Sequence, residues 1–142
     1  MRQIFLVFCL IFLTNCSDNS NTNPNCQFLL DVGVNVTINM SLPQYSELQF
    51  VSNSVYIANA GNRGIIVTNA GSGYFAWDAS DPNHAPSNCS VLQITGLEAT
   101  CGCADENTYS LVTGQPLQNS SLQCALKNYR VEQNGNTLFI SN

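Results

Sequence analysis

The most regular pattern of hydrophobic and polar positions runs from Leu30 to Met40. Leu30, Val32, Val34, Val36, Ile38 and Met40 share one face, and Asp31, Gly33, Asn35, Thr37 and Asn39 share the other. Strict period two predicts a half-buried strand, with no helical competitor. Leu42-Pro43 ends it. Residues 54–58 and 64–69 are rich in β-branched side chains, and Asn69-Ala70-Gly71-Ser72-Gly73 is turn chemistry leading into a strand over 74–78. Residues 91–95 and 97–100 flank Gly96 as a tight hairpin, and 108–112 and 127–133 follow as strands. Asn134-Gly135 is a strong hairpin signal, completed by 137–141. No twelve-residue window carries a helical stripe. About nine short strands with glycine turns predict an all-β domain, a small sandwich or barrel. The long gaps at 79–90 and 113–126 are the loops where a site would sit.

The first residues break this pattern. Arg2 precedes an apolar run from Ile4 to Leu13, too short to span a bilayer as a mature helix but fitting the core of a signal peptide. Leu13-Thr14-Asn15-Cys16 resembles a bacterial lipobox, in which the cysteine becomes the first mature residue and carries lipid. The expected organisation is a lipoprotein signal peptide over 1–15, lipidated Cys16 and a flexible tether over 16–26, and one domain over 27–142. Residues 17–25, SDNSNTNPN, have the polar composition of such a tether. Ser17-Asp18 also resembles a surface-export signal of Bacteroidetes-type lipoproteins. These features place the protein in the cell envelope, lipid-anchored to a bacterial membrane, with the outer membrane and its surface as the expected address.

The chain has 142 residues, enough for one domain with a real core. Four basic residues stand against nine acidic ones, a net charge of −5. That balance excludes nucleic acid as a partner, because phosphate binding needs clustered Lys and Arg. His84 is the one histidine, so no site can draw two imidazoles from a single chain.

From Gly64 onward the chain resembles a Rieske domain. Gly64-Ile65-Ile66-Val67 and Gly73-Tyr74-Phe75-Ala76-Trp77-Asp78-Ala79 match the strand pair that leads to the first ligand loop of such domains. Tyr109 to Gly114 and Leu126 to Ile140 fit the later strands. The resemblance covers roughly residues 50–142 and is nearest to the short flavobacterial lipoproteins of Rieske-like type. It implies a small Rieske-like β-sandwich or barrel, with a cluster-binding-type subdomain formed by two loops. In the family, two cysteines hold one iron of a [2Fe–2S] cluster and two histidines the other. The family's Cys-Pro-His is replaced here by Asp81-Pro82-Asn83, and its Cys-Pro-Cys-His by Cys101-Gly102-Cys103-Ala104. Carried over one by one, the ligand positions are Asp81, Asn83, Cys101 and Ala104, and only Cys101 keeps its identity. The resemblance therefore implies a degenerate site with no cofactor expected. The alternative is a [2Fe–2S] cluster on an altered ligand set, drawn from Cys89, Cys101 and Cys103 with Asp81 or His84.

Beyond Cys9 and Cys16, five cysteines remain: Cys26, Cys89, Cys101, Cys103 and Cys124. Export makes disulfides the default, and sequence alone does not choose among the ways of drawing two pairs. Many Rieske domains tie their ligand loops together with a disulfide, and the cysteines at the matching places are Cys89 and Cys103. The resemblance also pairs Cys101 with Cys124, leaving Cys26 to bridge to another chain.

Other chemistry is weaker. His84, Cys89, Cys101 and Cys103 form a Cys₃His set with no known finger spacing, and nothing places an oriented third group for Cys–His catalysis. Asp78, Asp81, Asp105 and Glu106 would crowd one loop tip, but their spacing matches no calcium loop. Phe75 and Trp77 read as core and edge packing rather than a sugar platform. The sequons at Asn35, Asn39 and Asn88 mean little in a bacterial lipoprotein. The expected function is a membrane-anchored, non-catalytic interaction or structural module with a protein partner at the loop tip and no metal. Its alternative is an iron–sulfur electron-transfer protein.

Overall fold

The computed structural model describes residues 23–119 and 121–142. The leader, Cys16 and most of the expected tether lie outside them. The described residues form nine strands: β1 Asn35–Asn39, β2 Ser54–Ile57, β3 Ile65–Asn69, β4 Tyr74–Asp78, β5 Leu92–Thr95, β6 Glu98–Cys101, β7 Thr108–Ser110, β8 Asn128–Asn134 and β9 Thr137–Ser141. A 3₁₀ helix, Pro43–Gln49, stands between β1 and β2. All pairing is antiparallel, in a six-stranded sheet ordered β1-β9-β8-β4-β3-β2 and a three-stranded sheet ordered β5-β6-β7. β8 pairs with β4 only through Asn128 and Tyr129, then turns to β9 from Arg130 onward. This change of partner curls the large sheet into a half-barrel, as the right-handed twist of strands favours.

Each sheet has its own core. Ile38, Leu48, Ile65, Val67, Ala76, Tyr129, Leu138 and Ile140 fill the half-barrel. Ile66, Trp77, Leu92, Cys101, Tyr109 and Leu111 fill the space under the small sheet. Successive residues of β3 and β4 point to opposite faces, so these two central strands serve both cores.

The chain crosses from one sheet to the other directly after β4. Ala79 N–H donates to the Gly64 carbonyl, Leu92 N–H to the Ala79 carbonyl, and Asp81 N–H to the Ser90 carbonyl. Asp78 fixes this crossing. Its carboxylate accepts from the Tyr129 hydroxyl at 2.6 Å, from Asn62 N–H at 2.7 Å, from Asn62 Nδ2 at 2.9 Å and from Ser80 N–H at 3.0 Å.

The alternation from Leu30 breaks at its start. Strand β1 begins at Asn35, opposite Ser141, because β9 offers no partner beyond that point. Residues 23–34 run instead as an arm across the domain. Leu30 N–H donates to Asn62 Oδ1 at 2.8 Å, and Lys127 Nζ bonds both the Leu30 carbonyl at 2.8 Å and Asp31 at 2.9 Å. The Lys127 ammonium holds the Asp31 carboxyl below the usual range. The expected core position Leu30 is 68% exposed, whereas Val34, Ile38 and Met40 are buried. The 3₁₀ helix was not expected: a seven-residue element opened by proline is too short to show a periodic stripe.

Gly114 sets the height of the loop that follows β7. At φ +73° it takes a left-handed conformation, and a Cβ there would lie 2.6 Å from the Trp77 ring. Trp77 in turn donates through Nε1 to the Leu111 carbonyl at 2.8 Å. Gly114→Ala should lower stability by about 2–3 kcal/mol, from the left-handed backbone and the displaced ring. Urea unfolding followed by the fluorescence of Trp77, the one tryptophan, measures it.

Candidate functional site

The site sits at the end of the small sheet, where the loop after β4, the β6–β7 loop and the residues before β8 meet. Asp81 is its centre and is fully buried. Oδ1 accepts from the Tyr109 hydroxyl at 2.5 Å and from Asn83 N–H at 2.8 Å, and Oδ2 accepts from Asn107 Nδ2 at 2.9 Å. All three partners donate, which suits a group that in its ionised form only accepts. Burial and the Asp81 hydrogen bond together push the Tyr109 phenol above its ordinary range, keeping it a donor.

Asn83 extends the network. Its Nδ2 donates to the Tyr109 hydroxyl at 2.8 Å and to the Cys124 carbonyl at 2.7 Å, while its Oδ1 accepts from Cys124 N–H at 3.1 Å. One side-chain amide thus pairs with both backbone groups of Cys124, as a strand neighbour would. Asn107 Nδ2 also reaches Asp105 at 3.0 Å.

Three of the four positions carried over from the family meet here. Asp81 and Asn83 lie within this network, and the Cys101 thiol is buried against it. Burial pushes that thiol up to about 12, partly offset by a backbone hydrogen bond from Cys103 and reinforced by the Asp81 carboxylate. Ala104 stands apart, exposed on the β6–β7 loop and without a donor atom. Tyr109 and Asn107 complete the network and carry no signal in the sequence. Nothing local marks a strand tyrosine as the partner of an aspartate 28 residues away.

Cys89 and Cys103 are joined in a disulfide that ties the two loops. The other pairing differs from the expectation: Cys124 is joined to Cys26, and Cys101 is free. The reason is placement. Cys101 ends β6 inside the second core, whereas Cys124 lies against the arm that brings Cys26 to it. Cys26 therefore closes onto its own domain instead of bridging to another chain.

The acidic tip is also corrected. Asp78 and Asp81 are buried in separate hydrogen-bond sets, and only Asp105 and Glu106 are exposed. The Cys₃His set is brought near but not freed. Donor atoms of His84, Cys89 and Cys103 lie within 4.8 Å of one another, as do those of Cys101, Cys103 and Asp105. Two of those sulfurs are spent in the disulfide, and metal binding needs thiolates. The donor set does not fit a two-cysteine, two-histidine cluster either: a saturated carboxylate, a neutral amide, one thiol and an alanine stand at its positions.

Asp81→Asn would turn an amide N–H₂ toward groups that all donate. It should lower stability by about 2–3 kcal/mol while leaving both disulfides intact. Urea titration of the oxidised protein with a thiol count on each sample measures both.

No family model matches the chain, and no curated protein matches it. Among solved structures, a chain of the complex of reduced oxygenase and oxidized ferredoxin in carbazole 1,9a-dioxygenase aligns at 14% identity and a TM-score of 0.50. The alignment covers 79% of this chain and 94% of that one. The ferredoxin of carbazole 1,9a-dioxygenase from Nocardioides aromaticivorans aligns at 16% identity and a TM-score of 0.47, over 77% and 96% of the two chains. A putative NADH-dependent nitrite reductase small subunit from Mycobacterium tuberculosis aligns at 14% and 0.46, over 79% and 97%. The first of these likenesses reaches across nearly the whole described domain, and the fold is Rieske-like.

Proposed function

We propose that this chain is a lipid-anchored module of the bacterial cell envelope, with a Rieske-like scaffold and no cluster. It presents its two tied loops to a protein partner and has no catalysis of its own. The observation that carries this reading is the Asp81–Tyr109–Asn107–Asn83 network, which takes up two of the four positions where the resemblance would put ligands. A buried carboxylate with three donors has little to gain from an iron centre that brings no matching histidines. Anchoring rests on the lipobox-like Leu13-Thr14-Asn15-Cys16. A partner at the loops is supported by the exposure of residues 85, 86, 88, 89 and 104–106, and by a fold shared with a ferredoxin solved in complex with its oxygenase.

A second reading keeps the electron-transfer role, with an altered [2Fe–2S] ligand set. Its support is the same ferredoxin fold and two donor groups that share Cys103, one with His84 and Cys89 and one with Cys101 and Asp105. Iron and acid-labile sulfide assays with a visible spectrum on anaerobically purified full chain separate the two. A colourless protein without stoichiometric iron is expected. Two irons and two sulfides per chain would establish the second reading. Anchoring is read separately: Cys16→Ser should move the protein from the membrane pellet to the soluble fraction, and a variant still pelleting would remove the anchor from the proposal.

A further inference from the structure

The three sulfurs beside the network are not equivalent. Cys89 is exposed, Cys103 is 8% exposed and Cys101 is 2% exposed. Two polar groups address the Cys89–Cys103 bond. Ser87 Oγ lies 3.2 Å from Cys89 Sγ and 3.7 Å from Cys103 Sγ. His84 Nδ1 lies 2.7 Å from the Ala85 carbonyl and 3.9 Å from Cys103 Sγ. Because a carbonyl only accepts, Nδ1 carries the hydrogen; it is given to the Ala85 carbonyl in the disulfide state, and a thiolate formed at Cys103 would compete for it. The arrangement offers an attackable sulfur on the outside and a second sulfur inside, with His84 Nδ1 beside the inner one and Ser87 Oγ within reach of both, nearer Cys89. Cys26–Cys124 has no such neighbours among the hydrogen bonds of the described residues.

We propose that Cys89–Cys103 is an exchange-active disulfide, through which the loop tip captures the cysteine thiol of a polypeptide partner. The partner's thiolate attacks Cys89 Sγ and forms a mixed disulfide with it. The Cys89–Cys103 bond breaks, and its electron pair leaves on Cys103 Sγ. That sulfur takes up the proton the partner's thiol gave to water. One disulfide is exchanged for another, so no oxidant or reductant is consumed. Exchange is governed by access to the attacked sulfur and by stabilisation of the departing thiolate. Ser87 and His84 supply the second, as hydrogen-bond donors to a charged sulfur. Asp105 opposes them: its carboxylate lies within 4.8 Å of Cys103 Sγ and repels a thiolate there. The proposal deepens the loop-tip reading above, and it stands or falls on sulfur chemistry independently of the iron assay.

The test incubates oxidised full chain with a blocked cysteine peptide or with glutathione, quenches in acid, and maps adducts by peptide mass. The expected adduct is on Cys89, with Cys103 free and Cys26–Cys124 intact. His84→Ala and Ser87→Ala should each slow capture by about tenfold. Asp105→Asn should speed it several-fold, and Cys101→Ser should leave it unchanged. Circular dichroism and urea unfolding of each variant confirm folding, above all for Asp105→Asn, where a loosened loop would also speed exchange. Faster capture of the peptide than of glutathione is the expected result. Faster capture of glutathione would overturn the polypeptide as the thiol source. Adducts on Cys103, prior opening of Cys26–Cys124, or rates indifferent to His84 and Asp105 would overturn the exchange itself.

Discussion

The buried carboxylate of Asp81 is the constraint around which the functional end of this molecule is built. A carboxylate at full burial is tolerable only when hydrogen-bond donors surround it. Tyr109, Asn107 and the Asn83 backbone supply three, each from a different stretch of chain. Those partners fix β7, the β6–β7 loop and the loop after β4 against one another. An apolar residue at position 81 would leave these donors without their acceptor inside a space that excludes water. The network is therefore a structural keystone, and its geometry leaves little freedom for a ligand at the same place.

The keystone is connected outward by covalent bonds. Asn83 pairs with the backbone of Cys124, and Cys124 is bonded to Cys26, so the arm is tied to the site's edge. The cysteines stand 98 residues apart, and closing a loop of that length stabilises by about 4–5 kcal/mol in the chain-entropy account. The arm cannot lift without straining this bond and the Lys127 contacts to Leu30 and Asp31. Residues 23–26 are thus held beside the residues before β8 rather than at the start of β1.

Much of the fold was legible because strands announce themselves by composition and turns by glycine. Residues 74–78 and 137–141 are strands at the limits read from sequence, and Asn134-Gly135 makes the expected hairpin. The alternation starting at Leu30 misled because period two says a segment can be a strand, not that a partner exists beside it. For the same reason the site was half legible. Asp81 and Asn83 were marked by what they replace in the pattern the chain resembles, and Cys101 by what it keeps, and the three do converge. Tyr109 and Asn107 were invisible, since their role is defined by residues more than twenty positions away. The pairing of Cys124 was misread because the choice between Cys26 and Cys101 depends on where the arm runs, and the arm has no periodic signal.

The free thiol shows how little chemistry follows from residue type alone. Cys89 and Cys103, 14 residues apart in sequence, stand with Cys101 at one end of the small sheet, yet their surroundings assign the three different fates. Cys101 faces the second core and the Asp81 carboxylate, so its thiolate is doubly disfavoured, by desolvation and by like charge. It behaves as a small apolar side chain that packs. Cys103 shares that core, with Ser87 Oγ 3.7 Å and His84 Nδ1 3.9 Å from its sulfur. Cys89 faces water. A gradient of solvation across three sulfurs therefore directs any attack to the outermost one. The buried carboxylate is part of that gradient: the group that organises the network around position 81 also disfavours the thiolate of Cys101.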